Sequence, residues 1–583
     1  MNQKPTYEEL EKKIAELEYE LKSTKKYGLV WDKEDTKEDV ALQCENNIPL
    51  LIQDKSKKIV LDEGENNILI EGDNYHALTA LNFIAKESID VIYIDPPYNT
   101  GHEDFSYNDK YVNADDSYKH SKWLSFIEKR VVLAKKLLNE FGTIFISIDE
   151  HEFAQLKLLC DSIFGESNFI ENFIWIKNAT KNLSKTVSTN HEYVLCYAKK
   201  ISNIQNMGGF RIKKDGIDEA VSLINECKKK GLTYKETELK LRELYKSNEK
   251  FNEISLYKYV DKDFRIYTSD NPSAPIASGT SKNNFDIIHP ITQKPCKKTN
   301  RGWAFNYNKL QEYLKDDMLI FGKDETKIPR IKRFLDTVKD KIQISYIVDN
   351  VDGKKELQKL FNTNSIFENP KPTSLLKKFI KLYDNNAIIL DFFAGSGTTG
   401  QAVMELNKED GGHRRFILCT NNENGICENV TYPRLKTVIT GIRVDGSKYS
   451  DGLPNNLFYF KTDFVKDENN TEQARYCLVE KVDGLLCIAE NIYEEVERND
   501  YSSHYKSNNN HLFIFNDYYS KEKFDEFKQR ILNSEGKKIV YIYSSDNNID
   551  NTLIVDENVI IKPIPSKIYE IYKEIVEGIK RGE

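Results

Sequence analysis

The sequence predicts an α/β protein built on a mixed, mostly parallel, doubly wound sheet. Two observations favour this class. Between about residues 66 and 200, short apolar runs alternate with amphipathic segments, which is typical of parallel strands joined by helices. The same alternation returns after residue 366, beyond a long polar stretch. A chain of 583 residues exceeds a single ordinary core, so we expect two to four domains.

The elements follow one another in a regular order. Before the polar stretch, the pattern predicts strands near 68–71, 91–94, 143–148, 169–176 and 191–197, and helices over 74–85, 121–138 and 151–164. After it, helices over 375–382 and 399–406 alternate with strands over 387–390 and 416–420. In such a sheet the ligand crevice lies at the carboxyl ends of the strands. Asp73, Asp95 and Asp149 follow three of the predicted strands at that edge.

The two ends of the chain predict separate elements. Apolar residues between 7 and 21 recur at spacings of three and four, which predicts a helix within residues 1–30. That helix suits either a short coiled coil or packing on its own domain. Residues 446–583 predict a C-terminal α/β region that ends in a helix over 565–580.

Composition excludes several classes of protein. A net charge of −8 argues against a generally basic nucleic-acid binder, so any such binding needs a local patch. The nine cysteines are scattered without a C-x-x-C pair, which indicates reduced thiols and neither a disulfide scaffold nor a zinc site. The N-terminus lacks an apolar signal region, and no apolar run approaches the ~20 residues of a membrane helix. We therefore expect a soluble, cytoplasmic protein.

A glycine-rich segment follows the predicted strand 387–390. It begins with Asp391, Phe392 and Phe393 and continues through Gly395 and Gly397 to a helix starting near residue 398. Glycines let the backbone approach a ligand closely and adopt positive φ. No lysine follows them, which excludes a phosphate-gripping P-loop, and the next glycine falls one residue late for a dinucleotide fingerprint. The segment suits a cofactor without phosphates, although a tight structural turn gives the same string.

The segment Asp95-Pro96-Pro97-Tyr98 follows the predicted strand 91–94. Two prolines fix the backbone and remove two N–H donors, so the Pro96 carbonyl becomes an aimed acceptor beside the Asp95 carboxylate. Two acceptors at one place can hold an exocyclic amino group, and Tyr98 offers a flat face for a base. The alternative is an ordinary proline-rich turn, but the acid before the prolines and the aromatic after them favour a site.

The polar stretch 201–365 differs in composition from its surroundings. Lys and Arg outnumber Asp and Glu between residues 201 and 310, and aromatic and amide side chains lie among them. This mixture suits phosphate contacts combined with the reading of base edges. A merely solvated face is the alternative. We predict an insert that reads nucleic acid.

The Asp-Pro-Pro-Tyr segment matches the D-P-P-Y motif of DNA amino-methyltransferases, and residues 393–397 match their F-x-G-x-G motif. The order of the two motifs around a large insert resembles the β group of these enzymes. Longer segments resemble the modification (Mod) subunit of type III restriction–modification systems, namely 95–101, 142–150, 163–169, 302–303 and 416–423. The resemblance extends from about residue 30 to 465.

The resemblance implies a Rossmann-like, S-adenosylmethionine-dependent methyltransferase fold that is split by the insert. Residues 31–200 would form the catalytic half, 201–365 the target recognition domain and 366–445 the cofactor half. The implied reaction is methylation of adenine N6 in double-stranded DNA after the base is flipped out of the helix. The implied partners are a second Mod subunit in a homodimer and a restriction subunit with helicase and nuclease activity.

The resemblance also implies roles for individual residues. Asp95 and Pro96 would accept hydrogen bonds from the target amine, Pro97 would hold the loop rigid and Tyr98 would stack on the base. Lys371 and Ser374 lie in a segment resembling the motif that packs over the methionine moiety, and Asn421 or Glu423 would take the ribose hydroxyls. The full set implied for the cofactor is Asp73, Lys371, Ser374, Asp391, Phe392, Phe393, Gly395, Gly397, Thr398, Asn421 and Glu423.

Four alternatives remain open from the sequence. The enzyme could methylate cytosine N4, although an Asp at the first motif position resembles the adenine enzymes. It could act on RNA, or as a DNA methyltransferase without a restriction partner. It could also be chiefly a DNA-binding specificity module, which the intact motifs argue against.

Overall fold

A computed structural model defines the architecture of the chain. It describes residues 31, 38–61, 64–101, 105–107, 110–113, 115–177, 187–275, 282–363, 367–466, 472–516, 520–543, 554, 556–564 and 566–581. The helix predicted within residues 1–30 lies outside these residues. Among the described helices, none is long and apolar enough to cross a membrane.

The described residues form two compact units. One contains the residues up to Met207 together with those from Ile344 onward, and the other contains Gly208–Gln343. The second unit falls within the polar insert that the sequence predicts, but it starts later and ends earlier than residues 201–365. The described residues from 344 to 363 belong to the first unit, where they supply a strand and a helix.

A ten-stranded sheet organises the first unit. Its strands in chain order are β1 (Asn47–Gln53), β2 (Asn66–Glu71), β3 (Ile89–Ile94), β4 (Leu138–Ile148), β5 (Phe169–Ile176), β6 (His191–Ala198), β7 (Tyr346–Val348), β8 (Ile388–Asp391), β9 (Arg415–Thr420) and β10 (Asn456–Lys466). They pair in the spatial order β1-β10-β2-β9-β8-β3-β4-β6-β5-β7.

The direction of pairing confirms the predicted fold class. The run from β10 through β2, β9, β8 and β3 to β4 is parallel throughout, while β1 joins one side and β6 the other in antiparallel pairs. The central β3 is almost entirely apolar and buried, because helices cover both faces of a parallel sheet. The sheet is therefore mixed and mostly parallel.

Helices connect the strands of this unit. Their bounds are Asp39–Gln43, Asn74–Asn82, Lys119–Leu137, Phe153–Phe164, Ile201–Asn206, Gly353–Phe361, Thr373–Ile380, Thr398–Asp410, Tyr432–Thr440, Glu472–Lys481, Asp483–Glu490, Lys521–Leu532 and Ser566–Arg581. The helix that the sequence predicts over 74–85 ends three residues earlier. Its last turn gives way to a short loop in which the Ala85 N–H still bonds to the Leu81 carbonyl.

The C-terminal region differs from its prediction at its start. Residues 456–466 form β10, which pairs with both β1 and β2 inside the large sheet. The residues of β10 from Leu457 to Phe460 are buried there, so this strand completes the main core. A second sheet follows with the strands Glu494–Arg498, Ser502–Ser507, Asn510–Phe515, Lys537–Tyr543 and Val559–Ile564.

The described residues of the second unit, Gly208–Gln343, include two hydrophobic cores of their own. One packs the helices Ile217–Lys229 and Tyr234–Ser247 around Phe251. The other surrounds Trp303, which is fully buried beside the helix Tyr307–Lys315. Its strands are Arg211–Lys213, Tyr259–Val260, Ile266–Asp270, Leu319–Ile320, Arg330–Phe334 and Asp340–Ile342.

Candidate active site

Two neighbouring strands carry the two sequence motifs. β3 and β8 pair in parallel, with Val91 beside Ile389 and Ile92 beside Leu390. Parallel strands share their carboxyl edge, so Asp95 beyond β3 and the glycine turn beyond β8 open onto the same edge. The motifs are nearly 300 positions apart in the chain, and the strand order brings them together.

Buried side chains fix the Asp-Pro-Pro-Tyr loop in place. The Trp123 indole N–H donates to the Pro97 carbonyl at 2.7 Å, and Trp123 is fully buried. Asn99, which has a φ of 60°, donates to the Glu152 carboxylate at 2.5 Å and to the Lys119 carbonyl at 3.2 Å. Within the described part of the chain, no donor reaches the Pro96 carbonyl. Both anchors lie just after Pro96 in the chain, so the free Pro96 carbonyl adjoins a fixed segment.

The Asp95 carboxylate lies at the centre of a charged network. Lys371 Nζ donates to Asp95 Oδ1 at 2.7 Å and to Oδ2 at 2.8 Å. The Tyr98 hydroxyl lies 2.9 Å from Asp95 Oδ1 and 3.2 Å from Glu192 Oε2, and it accepts from Lys371 Nζ at 2.8 Å. Lys371 therefore lies with the Asp-Pro-Pro-Tyr loop, although the sequence resemblance assigned it to the cofactor.

The protonation states in this network follow from burial and neighbouring charge. Burial works to lower the pKa of Lys371, but the carboxylates of Asp95 and Glu192 outweigh it and raise that pKa above its ordinary value. Burial works to raise the pKa of Glu192, but Lys371 and Lys177 lower it. Burial and the Asp95 charge raise the pKa of Tyr98 well above its ordinary value. Lys371 is thus an ammonium, Glu192 a carboxylate and Tyr98 a neutral phenol at pH 7.

The glycine turn beyond β8 has the backbone that the sequence predicts. Gly395 has a φ of 47° and Gly397 a φ of 78°, both in the left-handed region. A Cβ at Gly395 would lie 3.2 Å from the Phe367 ring. Gly400 serves a different purpose, because a Cβ there would lie 2.6 Å from the Leu435 side chain. That glycine lets the helix Thr398–Asp410 pack closely on its neighbours.

Three of the residues that the resemblance assigned to the cofactor turn their side chains into the protein. Asp391 is 3% exposed and accepts from the Phe393 N–H and the Thr399 hydroxyl, at 3.0 and 2.5 Å. Burial raises the pKa of Asp391 to about 7. Phe392 is buried in the main core, and the buried Thr398 hydroxyl accepts from Arg434 at 2.7 Å. These side chains support the glycine turn from the protein interior.

The turn is also held from the helix Tyr432–Thr440 and the residues just before it. The Thr431 hydroxyl donates to the Gly395 carbonyl at 2.6 Å. Arg434 is fully buried and donates to the Ser396 hydroxyl at 2.9 Å and to the Gln401 side chain at 2.8 Å. Burial lowers the pKa of Arg434 to about 10, which still leaves it charged at pH 7.

Asp73 lies at the same edge, beyond β2. Its carboxylate caps the helix Asn74–Asn82 by accepting from the Tyr75 N–H at 2.7 Å, and Arg130 lies 3.4 Å away. Asn74 donates to the Phe392 carbonyl at 3.0 Å, which ties this loop to the glycine turn. The Asp73 side chain is 28% exposed and so remains accessible to a ligand.

The remaining assigned residues lie around these loops. Ser374 is in the first turn of the helix Thr373–Ile380, and its buried hydroxyl has no hydrogen-bond partner among the described residues. Phe393 is half-buried against Phe126, with ring centroids 5.8 Å apart. Asn421 and Glu423 are exposed beyond β9, the strand beside β2.

Sequence reasoning missed several residues of the site. Glu192 is the second residue of β6, and an acid at the start of a predicted strand was the available signal. Trp123 and Arg130 lie on the helix Lys119–Leu137, where their side chains are fully buried. Arg130 pairs with Glu38 through two hydrogen bonds of 3.0 and 2.7 Å. Nothing local in the sequence marks that pair, because 92 positions separate its members.

Comparison with known proteins assigns the class. A family model described as DNA methylase, for the N6 and N4 methyltransferases, matches residues 89–431. That span covers more than half of the chain and includes both motifs. The chain belongs to this family of DNA methylases.

The chain is also similar to individual curated proteins. The chain is 36% identical over 360 residues to the EcoP15I Mod subunit of a type III restriction-modification enzyme from Escherichia coli, covering 57% of this chain and 54% of that protein. It is 35% identical over 365 residues to the StyLTI Mod subunit from Salmonella typhimurium, covering 57% and 49%. The chain thus spans about half the length of these curated relatives.

A shorter relative is covered more fully. The chain is 30% identical over 388 residues to the type II methyltransferase M.KpnI from Klebsiella pneumoniae, covering 65% of this chain and 86% of that protein. Among solved structures, the PvuII DNA methyltransferase (cytosine-N4-specific) covers 64% of this chain and 92% of its own, with 11% identity and a TM-score of 0.30. At that score the fold rests on the sheet topology alone.

Proposed function

We propose that the chain is a site-specific DNA methyltransferase that transfers a methyl group from S-adenosylmethionine to adenine N6. One observation carries the proposal: the Asp-Pro-Pro-Tyr loop and the glycine turn lie at the carboxyl ends of adjacent parallel strands. An amine-binding loop and a cofactor loop at one sheet edge suit a direct transfer between their ligands. Membership of the DNA methylase family supports the same reaction.

The amine would bind at Asp95 and Pro96. The Asp95 carboxylate and the free Pro96 carbonyl would accept the two N–H groups, which directs the nitrogen lone pair away from them. The bound cofactor would supply an electrophilic methyl group. As the nitrogen becomes positively charged, the fixed carboxylate of Asp95 stabilises that charge. Tyr98 would stack on the base, which must leave the duplex to reach the loop.

The residues around the glycine turn fit S-adenosylmethionine. The turn presents backbone without side chains at Gly395 and Gly397. The unpartnered buried hydroxyl of Ser374 and the accessible carboxylate of Asp73 offer polar contacts of the kind that an amino acid moiety and an adenosine require. Asn421 or Glu423 would take the ribose hydroxyls from the exposed side.

Adenine is the favoured base, with cytosine N4 as the second candidate. The first residue of the loop is Asp95, as in the adenine enzymes that the motif resembles. The relatives named as Mod subunits of type III enzymes favour the same choice. The family model itself includes N4 methyltransferases, so the base requires a direct measurement.

The compact unit Gly208–Gln343 would read the DNA sequence. It lies within the insert that the sequence marks as a target recognition domain, and it has its own cores on which to present a recognition surface. The similarity to Mod subunits supports a role as the modification and recognition subunit of a type III restriction–modification system. In that role the chain would form a homodimer and bind a restriction subunit with helicase and nuclease activity.

Methylation of plasmid DNA tests the proposal. The full chain is incubated with a plasmid and S-adenosylmethionine carrying a labelled methyl group, and the DNA is digested to nucleosides. We expect label in N6-methyladenine. Label only in N4-methylcytosine would overturn the adenine assignment, and no label in DNA would overturn the function. Long-read sequencing of host DNA with and without the gene then locates the site and any strand asymmetry.

A further inference from the structure

The place where a target amine would bind already holds a positive charge from the chain itself. The ammonium of Lys371 contacts both oxygens of Asp95, at 2.7 and 2.8 Å, and the Tyr98 hydroxyl at 2.8 Å. An ammonium has three N–H donors, and these three acceptors use all of them. Lys371 therefore donates N–H groups to Asp95, as an incoming amino group would also do.

Competition between Lys371 and a base follows from this geometry. Asp95 Oδ1 also accepts from the Tyr98 hydroxyl, so the carboxylate already has three donors around it. The Lys371 side chain is only 10% exposed, which leaves little solvent to take over its contacts. Three of the roughly four acceptor positions of the carboxylate are therefore taken, and a base amine that binds Asp95 competes with Lys371 for them.

A second carboxylate lies next to the ammonium. Glu192 Oε2 is 3.5 Å from Lys371 Nζ and 3.2 Å from the Tyr98 hydroxyl. It belongs to β6 and is 16% exposed, and its other oxygen pairs with Lys177. A small movement of the Lys371 side chain would exchange a contact with Asp95 for a shorter contact with Glu192.

We propose that Lys371 occupies the amine position on Asp95 until a target base enters, and that Glu192 then receives the displaced ammonium. This inference rests on the proposed methyltransferase function. Lys371 and Glu192 are then both positioning residues. Lys371 keeps the Asp95 carboxylate paired before the base arrives, and Glu192 keeps the displaced ammonium paired afterwards. No covalent step is involved, because the ammonium only changes its carboxylate partner.

The exchange predicts an unusual order of methylation activity among Lys371 variants. Arginine retains the charge, but its planar guanidinium binds a carboxylate through two parallel hydrogen bonds and would be harder to displace from Asp95. Methionine removes the charge and leaves the amine position open. If the pair were only structural, Lys371→Arg would retain activity better than Lys371→Met. The exchange predicts the reverse order.

Single-turnover methylation of a plasmid with a located target site tests both residues. We expect the rate to fall about tenfold or more in Glu192→Gln, since a neutral amide holds an ammonium less well than a carboxylate does. DNA affinity, measured separately, should stay within about twofold, because the exchange follows DNA binding. Glu140→Gln, which removes the exposed partner of Lys200, is the matched control and should change neither quantity.

The outcomes separate this inference from the function on which it rests. If the wild-type chain does not methylate DNA, the proposed function fails first. If it does, an unchanged rate in Glu192→Gln, or a Lys371→Arg variant faster than Lys371→Met, overturns the exchange alone. A crystal structure of wild type with DNA and a flipped base gives a readout independent of rate. Lys371 Nζ should then lie within hydrogen-bonding distance of Glu192 and beyond it from Asp95.

Discussion

Lys371 Nζ lies 2.7 Å from Asp95 Oδ1, although 276 positions separate the two residues in the chain. The contact joins the segment before the helix Thr373–Ile380 to the loop after β3. It gives the candidate site a defined charge balance, with the carboxylates of Asp95 and Glu192 facing the ammonium groups of Lys371 and Lys177.

Removing the Asp95 charge should stop the reaction without releasing DNA. We expect Asp95→Asn to lower the methylation rate by roughly 10²–10³-fold or more, because the fixed charge that stabilises the developing ammonium is lost. DNA retention in a gel-shift assay should stay near the wild-type value. Asp116→Asn removes a partly buried carboxylate that pairs with Lys122 at 2.7 Å, and it should leave the rate unchanged. Methylation that persists in Asp95→Asn would refute the assignment of Asp95.

The indole of Trp123 should matter through the loop that it holds. Trp123→Phe leaves the partly buried Pro97 carbonyl without its donor, at a cost of about 1 kcal/mol in the free energy of unfolding. The methylation rate should fall as well, because Pro96 and Asp95 share that loop. Trp303→Phe removes a comparable bond, from the Trp303 indole to the Phe285 carbonyl at 2.9 Å. Trp303→Phe should destabilise the protein but leave the methylation rate at saturating DNA unchanged. An equal loss of methylation rate in both variants would contradict the role of Trp123 in holding the loop.

Asp391 should make the protein less stable as the pH rises towards 7. Burial raises the pKa of its carboxyl from 3.8 to about 7, so between these values the folded chain retains a proton that the unfolded chain has released. The stability that this proton contributes is lost as pH rises through the folded pKa, by on the order of 1–4 kcal/mol. Asp391→Asn should therefore show a smaller fall in Tm between pH 5 and pH 8 than wild type.

Asp54, a carboxyl group whose pKa is lowered and not raised, provides the control for Asp391. The hydrogen bond from Ser56 lowers the pKa of Asp54, so Asp54 stays ionised from pH 5 to pH 8. Asp54→Asn should leave the pH dependence of Tm unchanged over that range. A fall in Tm that is the same in wild type and Asp391→Asn would show that another group governs it.

Ser374 should contribute to the affinity for the cofactor and not to the stability of the fold. Its buried hydroxyl has no partner among the residues that the structure describes, so Ser374→Ala loses no internal hydrogen bond. We expect an unchanged Tm and about a five- to tenfold weaker affinity for S-adenosylmethionine, measured by calorimetry, from the loss of one hydrogen bond to the ligand. Ser162→Ala removes a helical hydroxyl that bonds to the Leu159 carbonyl, and it should leave the affinity unchanged. An unaltered affinity in Ser374→Ala would exclude the contact.

Much of the fold could be predicted from the sequence because its signals are local. The residues of β3 from Val91 to Ile94 form a continuous apolar run, which is typical of a strand covered on both faces. The strand predicted over Phe169–Ile176 has those bounds in the structure, although Glu171 and Asn172 interrupt its apolar run. The place of β10 could not be predicted, because its pairing with β1 and β2 depends on residues about 400 positions away.

The sequence by itself determined the chemistry of the two loops. Two prolines after an acid and two glycines with positive φ define backbone shape through local sterics, so Asp95–Tyr98 and the turn at Gly395 were readable without a structure. Only the tertiary structure decided which charges meet there. Strand order placed Glu192 and Lys371 against Asp95, and it buried Asp391 and Phe392 behind the turn. Such contacts depend on the packing of distant segments, which no local pattern encodes.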